Sequence, residues 1–282
     1  MADTSHSVAR PAGHLRSRNI FGLDFIDAKD VSAVAEAILL EAQHPPEGFA
    51  VSGKVSALVV TPNVDQLVQM SLGTAPQAAA VNRLAGYVLP DGQPLVWASR
   101  LLGAPLRSRL SGSDLVAALW PHIVAGGKRV LVVASSDLLA AVIAEEHAQA
   151  DSLVAPHFGP HDESALDTFI NECLRRCTNS RPDFIFLTLG FPHDASIMNA
   201  ILRSWSAALG PLPVMLAIGG SFELYYGLRR RAPRWVQRAG LEWFFRFVQE
   251  PRRLFHRYFI RGRHFPSLVW GEYRDRRSSG TE

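Results

Sequence analysis

Cysteine is scarce in this sequence: its 282 residues include only two, Cys173 and Cys177. They stand four residues apart in a segment whose pattern predicts a helix. A zinc site would need two further ligands at a suitable spacing, and the sequence offers none. We therefore expect reduced, structural thiols, as is usual in the cytoplasm. A chain of this length buries roughly three quarters of its unfolded surface, so it needs neither a disulfide nor a metal for stability.

Long apolar runs are also missing. No stretch of about 18 apolar residues occurs, so the sequence predicts no membrane-spanning helix. Residues 1–18 lack the apolar centre of a signal peptide, and their serine, histidine and arginine content is typical of a disordered leader. The polar residues 266–282 are likewise expected to form a disordered tail.

Several signatures of catalytic or metal sites are absent. There is no G-x-G-x-x-G after the first strand, no Walker A motif and no G-x-S-x-G elbow, so dinucleotide, P-loop and hydrolase chemistry have little support. His157 and His161 flank a Gly-Pro turn without a carboxylate cluster beside them, which disfavours a metal site. No metal and no other cofactor is expected.

Positive charge is unevenly distributed. Arg229 to Glu282 contains 14 arginines, no lysine and five acidic residues, a balance of +9, so the remaining chain carries −6 of the total charge of +3. Residues 229–265, hereafter the appendage, interleave these arginines with large aromatic side chains. Three interpretations compete: a solvated basic face, a nucleic-acid surface, and a segment that lies on an anionic membrane. The residues alone favour the membrane modestly over nucleic acid.

The body of the chain, residues 19–228, alternates strand-like and helix-like segments. Six apolar strands separated by amphipathic helices predict an α/β fold: a Rossmann-like open, largely parallel sheet with helices on both faces and the appendage as a helical, basic addition. In such sheets, ligands bind at the carboxyl ends of the strands where the strand order reverses. We therefore expect the catalytic and ligand-binding residues in the loops that follow the strands.

Polar residues follow two of these strands. Asp91 and Gly92 belong to a Pro-Asp-Gly sequence, where the carboxylate is either a general base or a turn-forming side chain. Thr61 and Asn63 follow an earlier strand, and Asn63 either binds a ligand or caps the next helix. In isolation, the turn and the helix cap are the better interpretations.

Arg109 precedes a predicted helix start, Ser-Gly-Ser-Asp, where exposed backbone N–H groups and an arginine together suit a phosphate. A solvated surface arginine is an equally good interpretation. Gly219 and Gly220 end the last strand and permit either a close approach to a ligand or a tight turn.

Several longer stretches occur in one order: Thr61-Pro-Asn-Val-Asp65, Pro90-Asp-Gly-Gln-Pro-Leu-Val-Trp-Ala-Ser-Arg-Leu-Leu-Gly103, Arg109-Leu-Ser-Gly-Ser-Asp114, Arg231-Ala-Pro-Arg-Trp-Val-Gln-Arg-Ala-Gly-Leu-Glu-Trp243 and Arg246-Phe-Val-Gln-Glu-Pro-Arg-Arg-Leu-Phe-His-Arg-Tyr258. In this respect the chain resembles the WecG/TagA/CpsF glycosyltransferases, glycosyltransferase family 26. The resemblance implies an inverting, metal-independent enzyme on the cytoplasmic face of the membrane. It would transfer an N-acetylmannosamine- or glucose-type sugar from a UDP-sugar to a saccharide on a polyprenyl diphosphate, in cell-surface polysaccharide biosynthesis.

The resemblance also implies roles for single residues. Asp91 matches the general base and Arg109 the group that stabilises the leaving diphosphate. Thr61 and Asn63 match pocket residues, and the appendage arginines match a segment that closes the site at the membrane. The further substrate-binding candidates are Gly92, Gly190, Asp194, Gly219, Gly220 and Glu223. The candidates for diphosphate or membrane contact are Arg231, Arg246, Arg253 and Arg257.

One departure from the family pattern stands after the fifth predicted strand. Where many members have Gln-Glu, this chain has Asp194-Ala195. An amide can donate to a sugar oxygen whereas an ionised carboxylate only accepts. A changed sugar preference is our preferred interpretation, and a weakened enzyme that acts as a membrane-bound partner in polysaccharide assembly is the alternative. A nucleic-acid partner is not expected, and a homo-oligomer remains open.

Overall fold

The computed structural model describes residues 15–44, 53–158, 162–233, 235–236 and 240–279. One eight-stranded sheet forms its centre, with the strand order β1-β2-β4-β3-β8-β7-β5-β6. β1 is antiparallel to β2, and every other neighbouring pair is parallel. The expected open, largely parallel sheet is confirmed, with two more strands than the six predicted.

The strands are Ser17–Ile20 (β1), Leu23–Ile26 (β2), Val55–Val60 (β3), Ala85–Val88 (β4), Val130–Ala134 (β5), Ala150–Val154 (β6), Phe184–Leu187 (β7) and Val214–Ala217 (β8). The helices of the body are Ser32–Gln43 (α1), Val64–Ser71 (α2), Pro76–Leu84 (α3), Gln93–Leu101 (α4), Gly112–Ala125 (α5), Asp137–Glu146 (α6), Glu163–Ser180 (α7), His193–Ser204 (α8) and Ser221–Tyr225 (α9). The later helices are Glu242–Gln249 (α10), Pro251–Phe255 (α11), a π-helix at His256–Arg261, a 3-10 turn at Gly262–His264 and Phe265–Ser279 (α12).

Both faces of the sheet are covered because the strands alternate their side chains. On β5, Leu131 and Val133 pack towards α2, α3, α7 and α8, while Val130 and Val132 pack towards α1, α5, α6 and α9. Both cysteines are buried and free on α7, and burial raises their pKa values to about 12, in keeping with inert structural thiols. Among the described residues, no three His, Cys, Asp or Glu side chains are grouped to hold a metal ion.

The β1–β2 hairpin was not predicted, because strands of four residues carry too little alternation to be recognised. Phe21 and Gly22 connect the strands, and both have positive φ, 54° and 70°. Ser17 and Arg18 pair with Ile26 and Phe25, so the predicted disordered leader is wrong for these two residues. Residues 1–14 lie outside the described part of the chain.

The predicted disordered tail is also wrong, since α12 spans Phe265–Ser279. This helix packs on the hairpin: the rings of Phe265 and Phe21 are 6.2 Å apart, and Arg276 donates to the backbone oxygen of Asn19. Val269 is only 9% exposed. The surfaces on which this polar helix packs are the hairpin and α2, both far away in the chain, and local composition does not reveal them.

The strand order changes direction between β3 and β8. β4 and β2 lie on one side of β3, whereas β7, β5 and β6 lie on the far side of β8. Val59 pairs with Leu216 and Val60 with Ala217, so the two strands end level with each other. The loops after β3, β4, β7 and β8 therefore meet at one edge of the sheet, which sets the position of the site.

Candidate active site

Asp91 lies in the loop after β4, and backbone hydrogen bonds fix that loop. Its N–H donates to the oxygen of Pro62 at 3.2 Å, and the N–H of Leu110 donates to the oxygen of Pro90 at 2.9 Å. Gly92 follows with a φ of 126°, a conformation that favours glycine, and α4 begins directly after it. The loop after β4 is thus bound both to the loop after β3 and to the segment before α5.

The carboxylate of Asp91 is surrounded by charge but unpaired: within the described residues, no side chain forms a hydrogen bond or ion pair with it. Burial raises the pKa of this carboxyl above its usual range, and the negative charge of Glu242 raises it further. The positive charges of Arg246, Arg109 and Arg257 act in the opposite direction. A carboxylate with an elevated pKa and no partner is well suited to accept a proton.

Arg109 joins the body to the appendage. Its Nη1 donates to Oε2 of Glu242, the first residue of α10, and its Nη2 lies 3.5 Å from Oδ2 of Asp114. Oε1 of Glu242 also lies 3.4 Å from Nη2 of Arg246, one turn along α10. The interpretation of Arg109 as a solvated surface arginine is wrong, since its side chain is only 19% exposed.

Arg231, at the beginning of the appendage, pairs with Asp114 in the first turn of α5. Ser111 caps that helix and donates to Asp114 at 2.6 Å. Although burial opposes the effect, the hydrogen bonds from Arg231 and Ser111 hold the pKa of Asp114 below its usual range. The charged form of Asp114 is therefore favoured, and it binds arginines of both the body and the appendage.

The π-helix of the appendage is bound to α2. Oδ2 of Asp65 lies 3.4 Å from Nε of Arg257, and Oδ1 lies 2.8 Å from Nε of Arg261. Gln69 also donates to Asp65, at 3.0 Å. Arg253 belongs to α11, and its side chain lies outside the described part of the structure. Of the four predicted appendage arginines, the structure thus places Arg231, Arg246 and Arg257 at this edge of the sheet.

Thr61 and Asn63 are used by the fold itself. Oγ1 of Thr61 donates to the oxygen of Ala217 at 3.2 Å, which joins the ends of β3 and β8. Asn63 accepts the N–H of Gln66 at 3.3 Å, so the predicted helix cap is confirmed. A Cβ on Gly112 would lie 3.6 Å from the methyl of Thr61, which shows how closely the start of α5 packs against this loop. Substrate contacts of Thr61 and Asn63 stay predictions.

The loop after β8 contains two glycines, of which Gly219 has the backbone conformation that favours glycine. Gly219 has a φ of 50°, and a Cβ there would lie 3.8 Å from Cα of Gly190 in the loop after β7. A Cβ on Gly220 would lie 2.8 Å from Oε2 of Glu223. Glu223 accepts from Ser135 at 2.8 Å and pairs with Arg229 at 2.9 Å. The predicted tight turn agrees with this geometry, and the predicted close approach to a ligand stays a prediction. The carboxylate of Glu223 already has partners within the fold.

Asp194 is also committed to the fold. Its Oδ1 accepts the N–H of Leu189 and its Oδ2 the N–H of Gly190, both at 3.0 Å. The residue is 4% exposed. Burial raises its pKa to about 7, although the N–H groups of Gly190, Leu189 and Gly219 favour the charged form. The expected contact of Asp194 with a substrate sugar therefore stays a prediction, and the observed role is to hold the loops after β7 and β8.

Sequence reasoning missed the acidic partners of the arginines. Asp65, Asp114 and Glu242 all lie inside the quoted stretches, yet none was singled out. Their signal was available, since each is an acidic residue within a stretch that otherwise suggests anion binding. Which arginine each one binds depends on contacts between residues far apart in the chain.

The appendage exposes a large apolar surface beside these ion pairs. The exposed large side chains between residues 235 and 260 are Trp235, Leu241, Trp243, Phe244, Val248, Phe255, Phe259 and Ile260. α10 forms as the spacing of its aromatic residues predicted, and α11 restarts at Pro251. Within the described residues, none of the helices combines the length and apolar character needed to cross a membrane.

Comparison with known proteins gives several relatives of one named activity, N-acetylglucosaminyldiphosphoundecaprenol N-acetyl-beta-D-mannosaminyltransferase. The protein of that name from Bacillus spizizenii is 29% identical over 240 residues, which cover 85% of this chain and 86% of the relative. The Bacillus subtilis protein is 29% identical over 170 residues, or 60% of this chain and 63% of the relative. The protein from Staphylococcus aureus strain MW2 is 25% identical over 170 residues, or 60% and 64%.

The model of one protein family matches a longer part of this chain than the alignments with the Bacillus subtilis and Staphylococcus aureus proteins do. It covers residues 19–279, from β1 to the end of α12, and so includes the body, the appendage and the C-terminal helix. On that match, the chain belongs to the glycosyl transferase WecG/TagA/CpsF family.

Proposed function

We propose that this glycosyltransferase moves a sugar from a UDP-sugar to a saccharide carried on a polyprenyl diphosphate, with inversion at the anomeric carbon. The observation that carries the proposal is the position of Asp91 in the loop after β4, which is bound to the loop after β3 and to the segment before α5. The positive charges of Arg246, Arg109 and Arg257 act on the Asp91 carboxyl there. A base and a concentration of positive charge are what such a transfer needs at one place.

In the proposed step, the Asp91 carboxylate takes the proton from an acceptor hydroxyl. The hydroxyl oxygen then forms a bond to the anomeric carbon from the face opposite the nucleotide. The bond between that carbon and the diphosphate oxygen breaks, and its electron pair leaves with UDP. Attack and departure on opposite faces give the inverted configuration, and the proton resides on Asp91 until solvent removes it.

The departing diphosphate needs compensating positive charge. Arg109 is held on the body and Arg246 on α10, and arginine can bind phosphate oxygens through two N–H groups at once. These groups support the proposal that transfer requires no metal. The N-terminus of α5, next to Thr61, adds backbone N–H groups to the same edge.

The sugar specificity is proposed from the relatives. Their names specify an N-acetylmannosaminyl donor group and an N-acetylglucosamine acceptor on diphosphoundecaprenol. We propose a donor of the N-acetylmannosamine or glucose type and an acceptor of that lipid-linked class, in cell-surface polysaccharide synthesis. The Asp194-Ala195 departure is the reason to test more than one donor.

The appendage is proposed to place the enzyme on the cytoplasmic face of the membrane as a peripheral protein. Its exposed aromatic side chains suit the headgroup region, and each arginine near an anionic surface adds about 1 kcal/mol. Several arginines remain at the surface after the ion pairs are formed, among them Arg230 and Arg252, both exposed.

A second candidate is a weakened family member that acts as a membrane-bound partner in polysaccharide assembly. The hydrogen bonds of Asp194 favour this candidate, because its carboxylate accepts from backbone N–H groups and no amide stands in place of the family glutamine. Binding of UDP, measured by calorimetry, separates the two candidates because such a partner has no need of the nucleotide.

The test is a transfer assay with UDP-N-acetylmannosamine, UDP-glucose and other UDP-sugars on polyprenyl-diphosphate-linked N-acetylglucosamine. Wild type should transfer at least one sugar, and Asp91→Asn should lose about 10²- to 10⁴-fold in rate while it still binds UDP. Equal rates for the two proteins would remove Asp91 as the base. Transfer from no donor, together with no binding of UDP, would reject the enzyme in favour of the assembly partner.

A further inference from the structure

Glu242 occupies an unusual position between the body and the appendage. It is the first residue of α10, and its side chain is 13% exposed. One of its oxygen atoms accepts from Arg109, and the other lies 3.4 Å from Arg246. A single carboxylate is thus shared by two arginines, one 133 positions away in the chain and one a single helical turn away.

This shared contact limits where both guanidinium groups can lie. Arg109 is also held from its other side by Asp114, with 3.5 Å between Nη2 and Oδ2. Among the described residues, Glu242 is the partner with which Arg246 forms an ion pair. Because a shielded carboxylate is stable only when it is paired, Glu242 keeps both arginines close as long as α10 is docked.

The charges of Glu242, Arg109 and Arg246 also act on Asp91, as does that of Arg257 on the π-helix. Burial raises the pKa of the Asp91 carboxyl most; the three arginines lower it, and Glu242 raises it. Removal of the negative charge of Glu242 would leave the carboxyl of Asp91 facing arginines only. The protonation of Asp91 then becomes less favourable, and its pKa falls.

We propose that Glu242 is a positioning residue of the transfer reaction, which sets Arg109 and Arg246 side by side and thereby couples docking of the appendage to assembly of the site. This inference rests on the proposed function. Since the two arginines meet the diphosphate most strongly as it departs, loss of their alignment should lower kcat more than it raises KM for the UDP-sugar.

The experiment compares Glu242→Gln, which removes the charge, with Glu242→Asp, which keeps the charge and shortens the side chain. Glu242→Gln should lower kcat at least about tenfold with a change of less than about threefold in KM. Its acid limb in the profile of kcat/KM against pH should move to lower pH, and Glu242→Asp should recover part of kcat. Wild-type kcat and an unmoved acid limb in Glu242→Gln would overturn the proposal.

Asp114→Asn is the matched control for the pH profile. It also removes a carboxylate from Arg109, but Asp114 is not among the largest influences on the pKa of Asp91, whereas Glu242 is. Its acid limb should therefore stay in place. An equal shift in Asp114→Asn would mean that the perturbation of Arg109, and not the charge of Glu242, moves the limb, and this too would overturn the proposal.

Limited trypsin digestion of the whole chain tests whether docking of the appendage depends on Glu242. This test requires no measurement of activity. Cleavage at the arginines of residues 229–265 should be faster in Glu242→Gln than in wild type, while the body stays intact. An unchanged cleavage rate would show that the appendage docks without Glu242 and would reject the coupling. Because this measurement needs no substrate, it distinguishes failure of the coupling from failure of the proposed function.

Discussion

Nε of Arg261 lies 2.8 Å from Oδ1 of Asp65, which fastens the end of the appendage to α2. The aspartate is 10% exposed, and Arg257 approaches its other oxygen at 3.4 Å. α2 begins at the loop that carries Thr61 and Asn63, so the same contact connects the appendage to the carboxyl end of β3. The appendage is therefore held at two places, by Asp65 on α2 and by Arg109 and Asp114 near α5.

Asp65→Asn should loosen the π-helix from the body. The change leaves two partly buried arginines without their anion, a loss of about 2 kcal/mol for a shielded pair. Hydrogen exchange of residues 256–261 should accelerate, and the midpoint of chemical unfolding should fall. Glu172→Gln is the matched control, since Glu172 also binds two arginines, Arg175 and Arg176, but on the surface. A smaller effect in Asp65→Asn than in Glu172→Gln would contradict the assignment.

Asp91 should set the acid limb of the profile of kcat/KM against pH. Its pKa lies above the usual range for aspartate, so the base is lost to protonation at a higher pH than an exposed aspartate would be. The limb should therefore lie clearly above about pH 4, the ordinary pKa of an aspartate side chain. Added salt should raise it further, because screening weakens the nearby arginine charges that favour the ionised form. A limb at the ordinary aspartate pKa would count against Asp91.

Asp194 should make the folded protein more stable as the pH falls. Its pKa is about 7 in the fold, against 3.8 ordinarily, so the folded state binds a proton more tightly between these values. Stability from this group is fully present below the lower value and is lost as the pH rises towards 7, by at most about 1.4 kcal/mol per pH unit. The difference in unfolding free energy between wild type and Asp194→Asn should therefore grow in favour of wild type on acidification. A difference that is constant with pH would show that Asp194 does not titrate in this window.

Phe244 and Val248 should contribute to membrane binding. They stand one turn apart on α10 and are 50% and 63% exposed. The double change Phe244→Ser and Val248→Ser should reduce binding to phosphatidylglycerol-containing vesicles in a flotation assay. Leu138→Ser on α6, which removes a side chain that is 60% exposed, should leave that binding unchanged. Equal losses of vesicle binding in the two proteins would indicate nonspecific hydrophobic adsorption. No loss in the double variant would place the membrane contact elsewhere.

The sequence by itself determined the layered architecture. Runs such as Val130–Ala134 and Phe184–Leu187 are apolar throughout because both faces of a parallel strand are buried, and this character is visible in the residues. Helix caps could also be predicted from neighbouring residues, since Asn63 and Ser111 each cap a helix that begins at the next residue. The five quoted stretches were together specific enough to indicate the family. The roles that the resemblance implied for Asp91 and Arg109 stay predictions.

Tertiary structure alone decided which charges meet. Arg109 and Glu242 are 133 positions apart, and Arg257 and Asp65 even farther, so their pairing depends on β3 lying beside β8 and on the path of the appendage across that edge. Tertiary contacts also ordered α12 on the β1–β2 hairpin and turned Asp194 towards backbone N–H groups. The physical reason is common to all of them: spacing along the chain sets which way a side chain points on its own element, whereas its partner is set by which elements the fold brings together.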